Sequence, residues 1–297
     1  MLDKLKKLNS QLKSKIYFNH DIGKMTWFRT GGKAELFILA ENENELEIII
    51  NTIKDYNYLI IGMGSNILIR DKGYKGAIIK LGKGFNSLRV EEDKIISGAS
   101  ILDNNLSKFA KNNSIKNLEF FSGIPGTVGG AIKMNAGCFG CETKDVLREI
   151  FIIDKQGNKN KIKATNLELN YRTSNINDSD IITSAIFDIS YGDPDTIINN
   201  INTIKKKREE HQPIQEKTSG STFKNPKNYF AAELIEKAGC KGMEIGDAIV
   251  SDKHSNFIIN QGNASAQDIE QLGKKIIEKV FDKFNILLDW EIKLVGD

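Results

Sequence analysis

An α+β fold in more than one part follows from three observations on this sequence. Strand-like and helix-like apolar patterns alternate along most of the chain. A turn-rich stretch at 191–196 separates two such regions. Glycine is concentrated at 62–66 and 121–137, inside otherwise ordinary folded sequence. The balance of 40% hydrophobic and 27% charged residues is that of a soluble globular protein, and 297 residues allow two or three domains with full cores.

The elements follow in order. In "MLDKLKKLNSQLKSK", Leu2, Leu5, Leu8 and Leu12 recur near helical spacing and predict a short amphipathic helix. "AELFILA" (34–40), "ENELEIIINTIKDY" (43–56) and "NYLIIGMGSN" (57–66) read as strand, helix and strand. "ILIRD", "GAIIKLG" and "KIISGAS" predict further strands, and "ILDNNLSKFAKNN" a helix. "LREIFIIDKQGNKNKIK" predicts a hairpin turning at Gln156-Gly157-Asn158, and "DIITSAIFDISYG" another strand. A long polar helix, "TIINNINTIKKKREEH", ends before Pro213. Beyond it come a helix stopped by Gly239, the strand "NFIIN", a capped amphipathic helix through "SAQDIEQLGKKIIEKVFDKF", and a last strand in "LLDWEIKLV".

Composition excludes several functions. The net charge of +3 and the lack of a basic tract interleaved with aromatics argue against nucleic-acid binding. No apolar stretch approaches the roughly 20 residues of a transmembrane helix, and the N-terminal segment lacks the apolar centre of a signal peptide, so no membrane association and a cytoplasmic location are expected. Three cysteines argue against a disulfide framework. Cys138 and Cys141 have the spacing of a redox pair or half a zinc site, but no second paired motif completes one; packing in a tight loop is the better reading, and no metal is expected.

The glycine-rich stretches carry the chemistry. Gly62-Met63-Gly64-Ser65-Asn66 follows an apolar strand but lacks the third glycine and the helix of a dinucleotide-fold fingerprint. It predicts a loop between two strands, with backbone amides, Ser65 and Asn66 as donors. In "FSGIPGTVGGAIKMNAG", Pro125 stiffens a turn while Gly123, Gly126, Gly129 and Gly130 permit positive φ and close backbone approach. Ile124, Val128, Ile132 and Met134 make it too apolar for a flexible linker. Successive turn amides can cradle a pyrophosphate, so the two loops together point to a dinucleotide held without a Rossmann fold. "SGSTFKNP" (219–226) reads equally well as an ordinary loop or as Ser221 presented to a ligand beside Lys224 and Asn225.

Six motifs then stand in one order: "GMGSN", "SGIPGTVGGAIKMNAG", "NYRTS" (170–174), "GSTFKNP", "DKHSNFIIN" (252–260) and "WEIKLVG". From "TWFRTGG" (26–32) to "DWEIKLVG" (289–296) the chain resembles the bacterial UDP-N-acetylenolpyruvoylglucosamine reductases, the MurB family, in its compact second type without the extra substrate-covering loop. The resemblance implies a two-part FAD-binding fold of the vanillyl-alcohol-oxidase type plus a smaller α/β substrate-binding domain. The expected division is 1–192 for FAD, in subdomains of about 1–82 and 83–192, then 193–289 for substrate and a terminal strand at 290–297 carrying a catalytic Glu.

It further implies non-covalent FAD, with Gly62, Gly64, Ser65 and Asn66 on one side and Gly123, Pro125, Gly126, Thr127, Gly129, Gly130, Asn135, Ala136 and Gly137 on the other. NADPH is the implied hydride source and UDP-N-acetylglucosamine enolpyruvate the implied substrate, converted by a monomer to UDP-N-acetylmuramate for peptidoglycan. Arg172 matches the position that binds the substrate carboxylate, Ser221 the proton donor, and Glu291 the third catalytic residue. Tyr171, Lys224 and Asn225 are implied UDP-sugar contacts. An FAD-dependent oxidase of a sugar or hydroxy acid is the alternative on the same fold, and a non-catalytic flavoprotein a more distant one.

Overall fold

The computed structural model describes residues 2–297, and side chains from residue 4, so the expectation for the Leu2 side chain lies outside the described residues. The chain forms two compact units. The first comprises Met1–Phe18, Leu36–Gly62 and Gly76–Lys207; the second comprises Asn19–Glu35, Met63–Lys75 and Arg208–Asp297. The turn-rich stretch at 191–196 leads into the helix Pro194–His211, and the units part within that helix's last turn.

Unit 1 holds two cores. In the first, a four-stranded sheet runs in the order Lys15–His20, Ala34–Ala40, Tyr74–Leu81, Tyr58–Ile60. The helices Leu2–Gln11 and Glu43–Ile53 contribute Leu5, Leu46, Ile49, Ile50 and Ile53 to this core, beside Leu36 and Ile38 from the sheet. The spacing of 46, 49, 50 and 53 is one helical face. Asn42 begins the second helix by accepting the Glu45 N–H at 3.0 Å, and Glu43 and Glu45 suit the positive end of its dipole.

The second core lies against a five-stranded antiparallel sheet ordered Lys159–Lys163, Leu147–Ile153, Ile181–Asp188, Lys94–Gly98, Leu88–Glu91. The expected hairpin forms at its edge. Asp154 Oδ1 accepts the N–H groups of Gln156 at 2.9 Å and Asn158 at 2.8 Å, while Gly157 takes the left-handed φ of +82° that such a turn requires. The helices Asp103–Asn112 and Val128–Lys133 supply Leu106, Ala110, Val128, Ala131 and Ile132 to this core.

Unit 2 is built around the helix Ala266–Phe284. Ser265 and Asp268 form a reciprocal capping box at its start, and Asn285 ends it with φ +54°. The helix packs with Ala231–Lys237 and with a three-stranded sheet of Glu244–Ile245, Ala248–Val250 and Ile258–Asn260. Two earlier segments complete this core with Phe28 and Leu68. Asn260 Nδ2 donates to the Phe28 carbonyl at 2.8 Å, and Thr30 Oγ1 donates to the Ala264 carbonyl at 2.6 Å. The strand Ile67–Ile69 pairs in parallel with Lys293–Val295.

The final strand is shorter than the sequence suggests, and Glu291 stands before it in irregular backbone. The reason is a change of partner. Residues 293–295 pair with 67–69, whereas Phe223 bridges Trp290, the Lys224 N–H donates to the Asp289 carbonyl at 2.8 Å, and the Glu291 N–H donates to the Thr222 carbonyl at 2.9 Å.

Candidate active site

The glycines at 121–137 do not use the positive φ that they permit; within that stretch Asn135, at +41°, does. Gly123, Gly126, Gly129, Gly130 and Gly137 all keep φ out of the positive range. Glu119–Gly123 is a 3-10 turn, and Val128–Lys133 is an α-helix capped by Thr127, whose Oγ1 accepts the Gly130 N–H at 3.4 Å. Close approach, not conformation, explains one glycine: a Cβ on Gly129 would lie 3.1 Å from the Ala99 Cβ. The N–H groups of Val128 and Gly129 donate to the carbonyls of Ile101 and Ala99, each at 2.9 Å, which moors the short helix to the neighbouring strand end.

Between Pro125 and that helix, the amides of Gly126 and Thr127 donate to no protein acceptor among the described residues. Gly130 is exposed at the same place. The first glycine loop comes alongside within unit 1, since a Cβ on Gly62 would lie 2.6 Å from Thr127 Oγ1. Two consecutive free amides, with Gly62 and Gly130 beside them, are a donor set that fits the pyrophosphate of a dinucleotide.

Arg172 occupies a two-residue hairpin loop, Tyr171-Arg172, closed by the pair Asn170 and Thr173. It has φ +56°, stacks on the Tyr171 ring at 4.9 Å, and donates from Nη2 to the Gly137 carbonyl at 2.9 Å. The Ala136 N–H donates to the Ala131 carbonyl at 2.7 Å, continuing the end of the short helix. Asn135 locks this hairpin to the glycine-rich stretch. Its side chain is 0% exposed; Nδ2 donates to the Asn170 carbonyl and to Glu142 Oε2, both at 3.1 Å, and Oδ1 accepts the Lys144 N–H at 3.0 Å.

In unit 2 the backbone brings Ser221 and Glu291 together, because residues 222–224 run antiparallel to 289–291. Asn256, from "DKHSNFIIN", braces the other side: Oδ1 accepts the Phe223 N–H at 2.9 Å, Nδ2 donates to the Phe223 carbonyl at 2.8 Å, and its own carbonyl accepts the Thr222 N–H at 2.7 Å. Asn225 Oδ1 accepts the Ala231 N–H at 2.9 Å and so starts the helix Ala231–Lys237. The rest of "GMGSN" also belongs to unit 2. Gly64 has φ +67° and its carbonyl accepts the Trp27 N–H at 3.0 Å; Asn66 Nδ2 donates to the Glu291 carbonyl at 3.0 Å.

Sequence reading missed Asn256 as a brace and Asp103 altogether. Asp103 begins its helix with 0% exposure and, among the described residues, no hydrogen-bond partner for either carboxylate oxygen, and burial pushes its carboxyl well above the usual range. Its N–H donates to the Gly126 carbonyl at 3.2 Å, directly behind the free amides. Cys138 and Cys141 face each other across the turn Phe139-Gly140. Burial, then the charges of Asp145 and Glu119, push the Cys141 thiol up. Among the described residues no group of three or more His, Cys, Asp or Glu side chains is placed to hold a metal, and no helix is long and apolar enough to cross a membrane.

Fold and site define the class first: residues 34–161 match the FAD-binding domain family model, and residues 212–295 match the UDP-N-acetylenolpyruvoylglucosamine reductase C-terminal domain. This is an FAD-binding domain of the vanillyl-alcohol-oxidase type joined to that second domain. The UDP-N-acetylenolpyruvoylglucosamine reductase of Rickettsia bellii is 41% identical over 280 residues, covering 94% of this chain and 93% of that protein. That of Rhodopseudomonas palustris is 40% identical over 294 residues, covering 98% and 95%. The solved structure of the Thermus caldophilus enzyme superposes with a TM-score of 0.84 at 28% identity, covering 96% of this chain and 99% of that one. The chain belongs to the UDP-N-acetylenolpyruvoylglucosamine reductase family and is an FAD-dependent oxidoreductase.

Proposed function

We propose that this chain reduces the enolpyruvyl ether of UDP-N-acetylglucosamine enolpyruvate to the lactyl ether of UDP-N-acetylmuramate at the expense of NADPH, as a cytoplasmic monomer. Residues 1–192 hold the cofactor and 193–289 the nucleotide sugar in this reading. The observation that carries it is the antiparallel pairing of 222–224 with 289–291, which sets the proposed proton donor and the proposed acid on adjoining backbone.

FAD, when bound, would supply hydride transfer between NADPH and the vinyl carbon. The amides of Gly126 and Thr127 would hold its pyrophosphate, with Gly62 and the exposed Gly130 beside them. Hydride addition moves negative charge toward the substrate carboxylate. Arg172 binds that carboxylate with a permanently charged fork and stabilises the charge as it grows. The Ser221 hydroxyl gives a proton to the neighbouring carbon; it is a weak acid, but the enolate-like species is a strong base. Glu291 orients and polarises that species. Tyr171 and Lys224 contact the UDP-sugar, and Asn225 contributes through the helix it starts.

The test separates the two half-reactions under anaerobic conditions. NADPH is expected to bleach the flavin, and the enolpyruvyl substrate to restore its colour. Ser221→Ala should leave bleaching intact and slow recovery by about 10²–10⁴-fold, the usual worth of a general acid. Recovery by O₂ but not by the enolpyruvyl substrate would overturn the reading in favour of an oxidase.

A further inference from the structure

Glu291 lies outside any strand, yet its peptide is held at both ends. Its N–H donates to the Thr222 carbonyl at 2.9 Å, and its carbonyl accepts Asn66 Nδ2 at 3.0 Å. Asn66 reaches the same segment a second time, its own carbonyl accepting the Lys293 N–H at 3.1 Å. One residue therefore clamps positions 291 and 293, while Ile292 between them is buried in the core of unit 2. The "GMGSN" motif reads as a cofactor loop, but its last side chain donates to the backbone of the proposed acid.

We infer that Asn66 is a positioning residue for Glu291, and that its side-chain amide fixes the acid's backbone for the proton-handling half of the reaction. The side-chain chemistry is specific. A hydrogen bond to a carbonyl needs a donor; Asp offers only acceptors when ionised, and Ala offers nothing. Ser keeps a donor but is shorter. With both peptide groups of Glu291 held, its carboxylate can move only through its own side-chain torsions, which is the preorganisation that proton transfer needs. The inference rests on the catalytic reading of Glu291 above.

The experiment uses the flavin-loaded protein as Asn66→Asp, Asn66→Ala and Asn66→Ser, and the first also in a Glu291→Gln background. Flavin content and absorption spectrum, NADPH reduction, substrate-driven reoxidation across pH, and thermal melting are read for each. Expected for Asn66→Asp is reoxidation slower by about 10²-fold, the cost of a misplaced group, a loss at least about tenfold larger than any change in flavin content or NADPH reduction. Asn66→Ala should match it, and Asn66→Ser should fall between. In the Glu291→Gln background Asn66→Asp should add less than about twofold, because it acts through a group already removed. Multiplying losses, unchanged reoxidation, or loss of flavin with both half-reactions slowed would each overturn the inference. Reoxidation unchanged in Glu291→Gln alone would instead remove the reading of Glu291 on which it stands.

Discussion

Arg172 shows how a single residue is bent to a task. A two-residue loop with positive φ at its second position suits glycine or asparagine, and an arginine held there costs about 1–3 kcal/mol. The strain is sustained by the Asn170 and Thr173 pairing and by the buried Asn135 amide on the Asn170 carbonyl. What the strained backbone gains is a guanidinium fixed on the Gly137 carbonyl and the Tyr171 ring. Arg172→Lys keeps the charge but loses the planar fork. The expected result is a loss of about 10–100-fold in kcat/KM for the enolpyruvyl substrate, in line with roughly 1.5–3 kcal/mol for a charged hydrogen bond, with NADPH reduction of the flavin unchanged. Stopped-flow rates for the two half-reactions check it.

Two elements carry predictions about stability. The helix Asp103–Asn112 begins with a buried, unpartnered carboxyl whose folded pKa lies above its ordinary value of 3.8. A raised acid favours folding most when protonated in both states, so its cost appears as pH rises through the unfolded value and grows toward the folded one. Asp103→Asn should therefore raise Tm at pH 7 and lose most of that advantage near pH 4, as differential scanning calorimetry would show. In the helix Ala266–Phe284, Gly273 lies under the Trp290 ring, and an added Cβ would sit 2.0 Å from its Cη2. Gly273→Ala should cost about 1–3 kcal/mol by overpacking and lower Tm by several degrees. Amphipathic spacing made this helix and Glu43–Ile53 readable in the sequence. The helix Val128–Lys133 was not, because paired glycines are poor helix formers and only the fit of Gly129 against Ala99 reveals why they are there. The six motifs pointed to Ser221 and Glu291, which the structure sets on adjoining backbone, but Asn66, Asn135 and Asn256 bond to partners distant in the chain, which no local pattern encodes.

At the scale of the molecule, unit 2 is not a stretch of chain. Its core contains Phe28 and Leu68 as well as Phe223 to Ile292, and Arg70 pairs with the nearly buried Glu270 at 2.7 Å. A fragment of residues 208–297 would lack both apolar anchors, the parallel partner of Lys293–Val295 and the cation of that pair. It should fail to show a cooperative thermal transition, whereas the whole chain should show one for this unit; circular dichroism and hydrogen exchange decide it. The same discontinuity sets a timetable during synthesis. Segments 19–35 and 63–75 leave the ribosome early, while their partners around Trp290 are made about 220–260 residues later, a delay of roughly 11–52 s at 5–20 residues per second. For that interval Phe28 and Leu68 have no core to enter, so the nascent chain exposes apolar side chains that a holdase chaperone would recognise, and faster translation of the last third would shorten the exposure.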